Sequence, residues 1–330
     1  MVNMKKIKLQ TIVIVLVLFV ILRHFISSPY KSEKSEKAEK AEKAEAKKAA
    51  AGAGGTTRGK WVIVAVDGTQ ALYNKSITPS IFTRLPSSLY VFVIRERISI
   101  GNMFIDPGGR ITKFDSSNNT WYDIPIEKPV TRLVPPAVID LWTCAMGNTL
   151  ISWCGTVMNY IPATGTSSES WTSQIQGPPV INTSQGWGVT IGNMVVTMKG
   201  EKVSSVVNGV WSNASNGPGA PSSDGEDMWR LSMGNVLISA FGNISKYTST
   251  GWSIPSQALP SLNYNTNLPA NSDARDRWIC VVDDMIISQR GQICKYNTNG
   301  TFTTVTSPVL PVSNNPYGWD TEWVASMKLN

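Results

Sequence analysis

The sequence predicts an all-β fold: a six-bladed β-propeller closed by its C-terminal strand, preceded by an N-terminal membrane-anchor helix and a charged linker. Three observations predict it. Only 16% of the 330 residues are charged, while 26 are Gly, 19 Pro and 12 Trp, a mixture that suits short strands and many turns. A unit recurs at intervals of 41–49 residues from residue 60 onward. The first unit lacks its opening strand, and the chain ends on a strand of the missing kind with nothing after it.

In chain order, residues 1–30 read as a signal-anchor or transmembrane segment. Lys5, Lys6 and Lys8 precede the apolar run Thr11–Leu22, and residues 9–26 reach the low end of the about 17–25 residues a membrane span needs. Arg23 and His24 interrupt the run near its end, where they can snorkel to the interface. A cleaved signal peptide shares this pattern, but no small-x-small cleavage site stands out, so an uncleaved anchor is the favoured reading. The lysines on the N-terminal side mildly favour that end in the cytosol, which puts the globular part outside the cytoplasm, on a cell or virion surface. Residues 31–58 form a stalk and a joint. KSEKSEKAEKAEKAEAKKAA pairs Glu33 with Lys37 and Glu36 with Lys40 at helical spacing, which suits a semi-rigid polar spacer or a disordered charged linker. The Gly-rich segment 52–59 is a flexible joint under either reading.

Residues 59–330 are the propeller domain. They carry 18 Lys/Arg against 18 Asp/Glu, whereas residues 1–58 carry 12 against 5, so the basic balance belongs to the N-terminal segment and the domain has no bulk charge for nucleic acid. The only histidine is His24, which excludes imidazole-based catalysis and His-ligated metal from the domain. No cofactor or metal is expected.

Units open at Lys60, Gly101, Gly147, Gly192, Gly234 and Asp283. A glycine stands eight positions later in each: Gly68, Gly109, Gly155, Gly200, Gly242 and Gly291. An aromatic follows at thirteen (Tyr73, Phe114, Tyr160, Tyr247, Tyr296), with Ser205 the exception. A second aromatic ends the unit: Phe82, Trp121, Trp171, Trp211, Trp252 and Phe302. Trp142, Trp187, Trp229 and Trp278 stand five residues before an opening, and Glu96 takes that place once. Each unit therefore reads as four strands, A to D, with the Gly-Asn turn between A and B and the glycine turn between B and C. The terminal WVASMKLN, with Trp323, is a strand A that fits the first unit. Stacking such sheets in a ring buries faces that one sheet alone leaves open. The recurring aromatics are expected to pack between blades rather than to stack on sugars.

The unit GNMFIDPGGRITKFDSSNNTWYDIP, with its double glycine Gly108–Gly109 and its late tryptophan, resembles a kelch repeat. The resemblance covers residues 60–330 as architecture and implies a propeller that binds proteins; only this unit carries the double glycine. Enzymes of that family with a copper site use histidines this domain lacks.

Asp140, Asp227 and Asp276 each stand two residues before a strand-A tryptophan, and Asp320 and Glu322 precede Trp323. The expectation is that these acids ring one mouth of the central channel, where they bind a cationic group or sugar hydroxyls; the competing reading is that they hold a turn. The functional expectation is a non-enzymatic, membrane-tethered binding propeller for a protein or glycan, with a carbohydrate-active enzyme working through paired carboxylates as the alternative. Cys280, Ile287 and Cys294 are expected to align across three strands, which holds the two cysteines roughly 9–10 Å apart and leaves them free. Cys144 and Cys154 are likewise expected to be free thiols. Asn-x-Ser/Thr sequons occur at Asn74, Asn118, Asn182, Asn213, Asn243 and Asn299, relevant if the domain is a lumenal glycoprotein.

Overall fold

A computed structural model describes residues 59–76, 81–85, 98–123, 140–173, 177–180, 186–223, 225–254, 258–262, 276–307, 309–311 and 323–329. The chain divides into units 1–57 and 58–330. All described residues lie in the second unit, and the anchor, the stalk, Glu96, Asp320 and Glu322 are outside the described residues. Among the described residues no helix is long and apolar enough to cross a membrane.

The described strands form six antiparallel sheets, each ordered A-B-C-D from first strand to last, with a short extra strand, Ser215–Asn216, beside strand C of the fourth. In the first blade Lys60–Ala65 is strand B, followed by Gln70–Asn74 and Phe82–Leu85. Its strand A is Trp323–Leu329. The register runs from Lys60 opposite Leu329 to Ala65 opposite Trp323. The orphan strand and the incomplete sheet complete one another, as their sequences require. The other A strands are Ile98–Ile100, Trp142–Met146, Trp187–Ile191, Trp229–Met233 and Trp278–Val282. Each approaches the A strands of the two adjacent blades, and the last of these contacts joins Trp323–Leu329 to both its neighbours, so the ring is closed.

The repeat positions have distinct physical jobs. Gly101, Gly147, Gly192 and Gly234 have φ between 55° and 60°, as the first residue of a tight hairpin demands, and Asp283 adopts φ 57° in the same place. Asp283 also forms an ion pair with Lys75 of the first blade, and this partner is the main reason that amine is held above its usual range. The asparagine that follows extends the sheet: Asn102 and Asn235 donate Nδ2 to the carbonyls of Phe114 and Tyr247, both at 2.8 Å. Strands C and D meet through tilted aromatic pairs, such as Phe114 with Trp121 and Tyr296 with Phe302, with ring centroids 4.9 and 4.8 Å apart.

Blade 4 explains the exception at Ser205. There Val196 pairs with Val203, whereas the equivalent Ile238 of blade 5 pairs with Ile244. Its B–C turn therefore holds one extra residue, and the shift puts Val206, not Ser205, opposite Trp211. Val206 N also makes the 2.9 Å hydrogen bond to Asn193 O that the position-thirteen residue makes elsewhere.

The cysteine register needs correction. Cys280 pairs with Ile287, but Cys294 pairs with Ile286, one residue off the expected line. Successive strand residues face opposite sides, so Cys280 joins the core toward blade 1 and Cys294 the core toward blade 5. All four cysteines are free and buried. Burial pushes the Cys144 and Cys280 thiols up to about 12, which leaves them inert as nucleophiles.

Candidate functional site: the B–C turn face

Strand A begins on the face of the ring where the B–C turns lie. Its first residue ties two blades together. Trp142 N donates to Pro107 O, Trp187 N to Trp153 O, Trp229 N to Met198 O, Trp278 N to Ala240 O and Trp323 N to Gln289 O, at 2.7–3.0 Å. Each acceptor lies in the B–C turn of the preceding blade. Directly after the tryptophan a β-bulge leaves one residue unpaired in five blades: Thr143, Gly188, Arg230, Ile279 and Val324. A bulge bends the strand and re-aims its side chains. Here it turns the indole toward the glycine of the preceding turn. Trp229 Nε1 accordingly reaches Gly219 O at 2.9 Å, and Trp187 Nε1 reaches Pro179 O at 3.1 Å.

Asp140, Asp227 and Asp276 share this face at equivalent positions, but they do not project to a mouth. They are 0%, 0% and 4% exposed. Asp140 Oδ1 accepts Cys154 N–H at 2.9 Å, and Oδ2 accepts the Ser152 and Thr156 hydroxyls, both at 2.7 Å. Asp227 accepts Met228 N–H, Phe241 N–H and Asn243 Nδ2. Asp276 accepts Arg277 N–H, Arg290 N–H and the Ser288 hydroxyl. Burial raises the Asp276 pKa, against the opposing pull of Ser288 and the two N–H donors. A buried carboxylate is tolerable only when its oxygens are so supplied. These three acids therefore hold the B–C turns of their own blades, and the ligand-binding ring expected of them gives way to the turn-holding reading. Asp320 and Glu322 lie outside the described residues.

The partner set was missed in the sequence. Five positions after each opening stands an oxygen-bearing side chain in five of six units: Asp106, Ser152, Thr197, Ser239 and Ser288, with Ala65 in the other. Each takes a backbone N–H from the far side of its turn, for example Ser152 from Thr156 at 2.8 Å and Ser288 from Gln292 at 3.0 Å. Where that position is serine, an aspartate stands seven residues before the opening. The same column alignment that revealed the glycines holds this signal.

Replacing Asp140 by alanine strands the buried Cys154 N–H and two hydroxyls, and is expected to cost about 3 kcal/mol of stability. The neighbouring Leu141→Ala, at an exposed position, should stay within about 0.5 kcal/mol. Urea denaturation of the pair checks this; equal stabilities would mean that the carboxylate does not hold the turn.

What remains available on this face is a different set of side chains. Leu141 is 40% exposed. Trp153, Met198, Met228 and Phe241 are half-buried on successive blades. Arg277 and Arg290, also half-buried, follow on the sixth blade, with Arg277 5.9 Å from the Phe241 ring centre. Trp153 lies flat over Gly186, where a side chain would collide with its ring. Among the described residues no group of three His, Cys, Asp or Glu could hold a metal.

The chain is thus a six-bladed β-propeller. No family model matches it, and no curated protein does. Solved structures do match. One is the WD40 β-propeller domain of Doa1, 14% identical, covering 77% of this chain and 80% of that one with a TM-score of 0.38. Another is YCF48 bound to D1 peptide, 12% identical, covering 78% and 81% with a TM-score of 0.34. At such identities the likeness concerns fold alone, and the six closed sheets establish that fold by themselves.

Proposed function

We propose that this chain is a membrane-tethered, non-enzymatic binding propeller, of degenerate kelch type, whose B–C turn face receives a protein partner. One observation carries the reading: an arc of Leu141, Trp153, Met198, Met228 and Phe241 on blades 3 to 5, bordered by Arg277 and Arg290, stays accessible where the acids do not. Aromatic, Met and Arg side chains are the ones that anchor protein interfaces. The tether is the apolar run of residues 9–26. The carbohydrate-active alternative needs two acids facing a cleft. Asp140, Asp227 and Asp276 face their own turns instead, so that alternative rests on Asp320 and Glu322.

The full chain with a photo-crosslinking residue at position 141 should form a defined adduct, and the same probe at the exposed Asn235, on the A–B turn face, should not. Leu141→Ser with Trp153→Ser should weaken that partner's affinity at least about tenfold. Adducts at position 235 but not 141 would move the binding surface to the other face and sink this reading.

A further inference from the structure

We infer that N-linked glycans are carried at Asn118 and Asn299, on the face opposite the B–C turns, and are excluded from Asn243 in a B–C turn; this rests on the reading that the anchor places the domain in a secretory lumen.

Both acceptors sit at C–D turns. Asn118 lies between strands Ile111–Asp115 and Thr120–Asp123, and Asn299 between Ile293–Tyr296 and Phe302–Val305. Both are exposed. The two triplets have the same local shape. Asn118 Oδ1 accepts Thr120 N–H at 3.1 Å and the Thr120 hydroxyl at 2.5 Å. Asn299 Oδ1 accepts Thr301 N–H at 3.1 Å and the Thr301 hydroxyl at 2.7 Å. The hydroxyl an acceptor triplet requires is thus held beside the amide at an exposed hairpin tip. C–D turns lie on the face opposite the B–C turns, because successive antiparallel strands end on alternate faces.

Asn243 is built the opposite way. Its Nδ2, the atom that would carry the sugar, donates to Asp227 Oδ2 at 2.8 Å, and Asp227 is 0% exposed. A glycan there would have to be built on a half-buried nitrogen already committed to a buried carboxylate. Two others are weaker acceptors. Asn74 is half-buried at a strand end opposite Lys60. Asn213 is exposed, but the Ser215 hydroxyl of its triplet donates to Val203 O. Asn182 lies outside the described residues.

In the modification, Nδ2 attacks C1 of a lipid-diphosphate-linked oligosaccharide. The N–C1 bond forms as the C1–O bond to phosphate breaks. The electron pair leaves with the lipid diphosphate, and one amide proton passes to a base of the host transferase.

The test uses the full chain expressed in cells with a secretory pathway. Amidase release of glycans in heavy-oxygen water marks each formerly glycosylated asparagine as labelled aspartate, and protease protection in sealed microsomes reports where the domain lies. Label at positions 118 and 299 and none at 243 is the expected result, and Asn118→Gln and Asn299→Gln should each remove one step of electrophoretic mobility without changing the melting temperature. A protected domain unlabelled at either site, or label at 243 in folded protein, overturns this inference while the anchor reading stands. A domain open to protease on the cytosolic side and unlabelled overturns both.

Discussion

Removing residues 323–330 should abolish cooperative folding of the ring. The strand that is lost buries Trp323, Val324, Ala325, Met327 and Leu329, each 7% exposed or less. Four of these are large, and at about 2 kcal/mol each their burial amounts to roughly 8 kcal/mol, comparable to the whole stability of an ordinary domain. The partner strand suffers as well. Trp61, Val62, Ile63, Val64 and Ala65 are buried on both faces of their sheet, and truncation bares their hydrogen-bonding edge. Trp323 also supplies the N–H that binds Gln289 O at 2.7 Å, tying blade 1 to the B–C turn of blade 6. Thermal melting followed by near-ultraviolet dichroism reads the outcome. A truncated chain that melts at the unaltered temperature would show that closure by this strand contributes nothing.

Gly200→Ala should destabilise the domain by about 3 kcal/mol, whereas Gly234→Ala should cost only about 1 kcal/mol. Both glycines have left-handed φ, 75° and 60°, so both substitutions meet backbone strain. They differ in what surrounds them. A β-carbon at Gly234 meets nothing within 4 Å; at Gly200 it would stand 2.1 Å from Gly219 O and 2.3 Å from Trp229 Nε1. Those two atoms are hydrogen-bonded to each other. The methyl would be driven between them, and blade 5 would have to move off blade 4. Equal losses from the two substitutions, measured by chemical denaturation, would mean that the φ angle alone matters and that the tryptophan contact does not.

The fold was legible because its determinants recur in columns. Glycines at turns, tryptophans at strand starts and a mismatched pair of chain ends each carry an unambiguous physical demand, and together they specify six sheets and the closure. The errors arose where one residue changes a register. Glu201 lengthens a turn by one position, which no spacing count detects until hydrogen bonds assign Val206 to the place of Ser205. In blade 6 the B–C turn has the ordinary length, as in blade 5, and that register pairs Cys294 with Ile286 rather than Ile287, on the opposite side of the sheet from Cys280. The candidate site was less legible because a carboxylate's direction is not written in its position. Asp140 and its equivalents were placed on the correct face, yet whether they look outward or back into the turn depends on Ser152, Ser288 and Asn243, residues that attract no notice by themselves. The accessible arc of Leu141, Trp153 and Phe241 had no motif at all, since its members come from three columns and differ in type.

The contact between a turn glycine and the next tryptophan bears on how such a chain is inherited. Gly155 and Trp187 belong to different sheets but to one sequence unit, as do Gly200 and Trp229, Gly242 and Trp278, and Gly291 and Trp323. A stretch running from strand B of one sheet to strand A of the next therefore carries both halves of an interface within itself. Copying that stretch copies a finished joint, whereas copying a single sheet would separate the halves. Gain or loss of a whole unit in a gene leaves every surviving joint matched, so ring size can change by recombination in one step, while point substitutions at either half need a compensating change at the other.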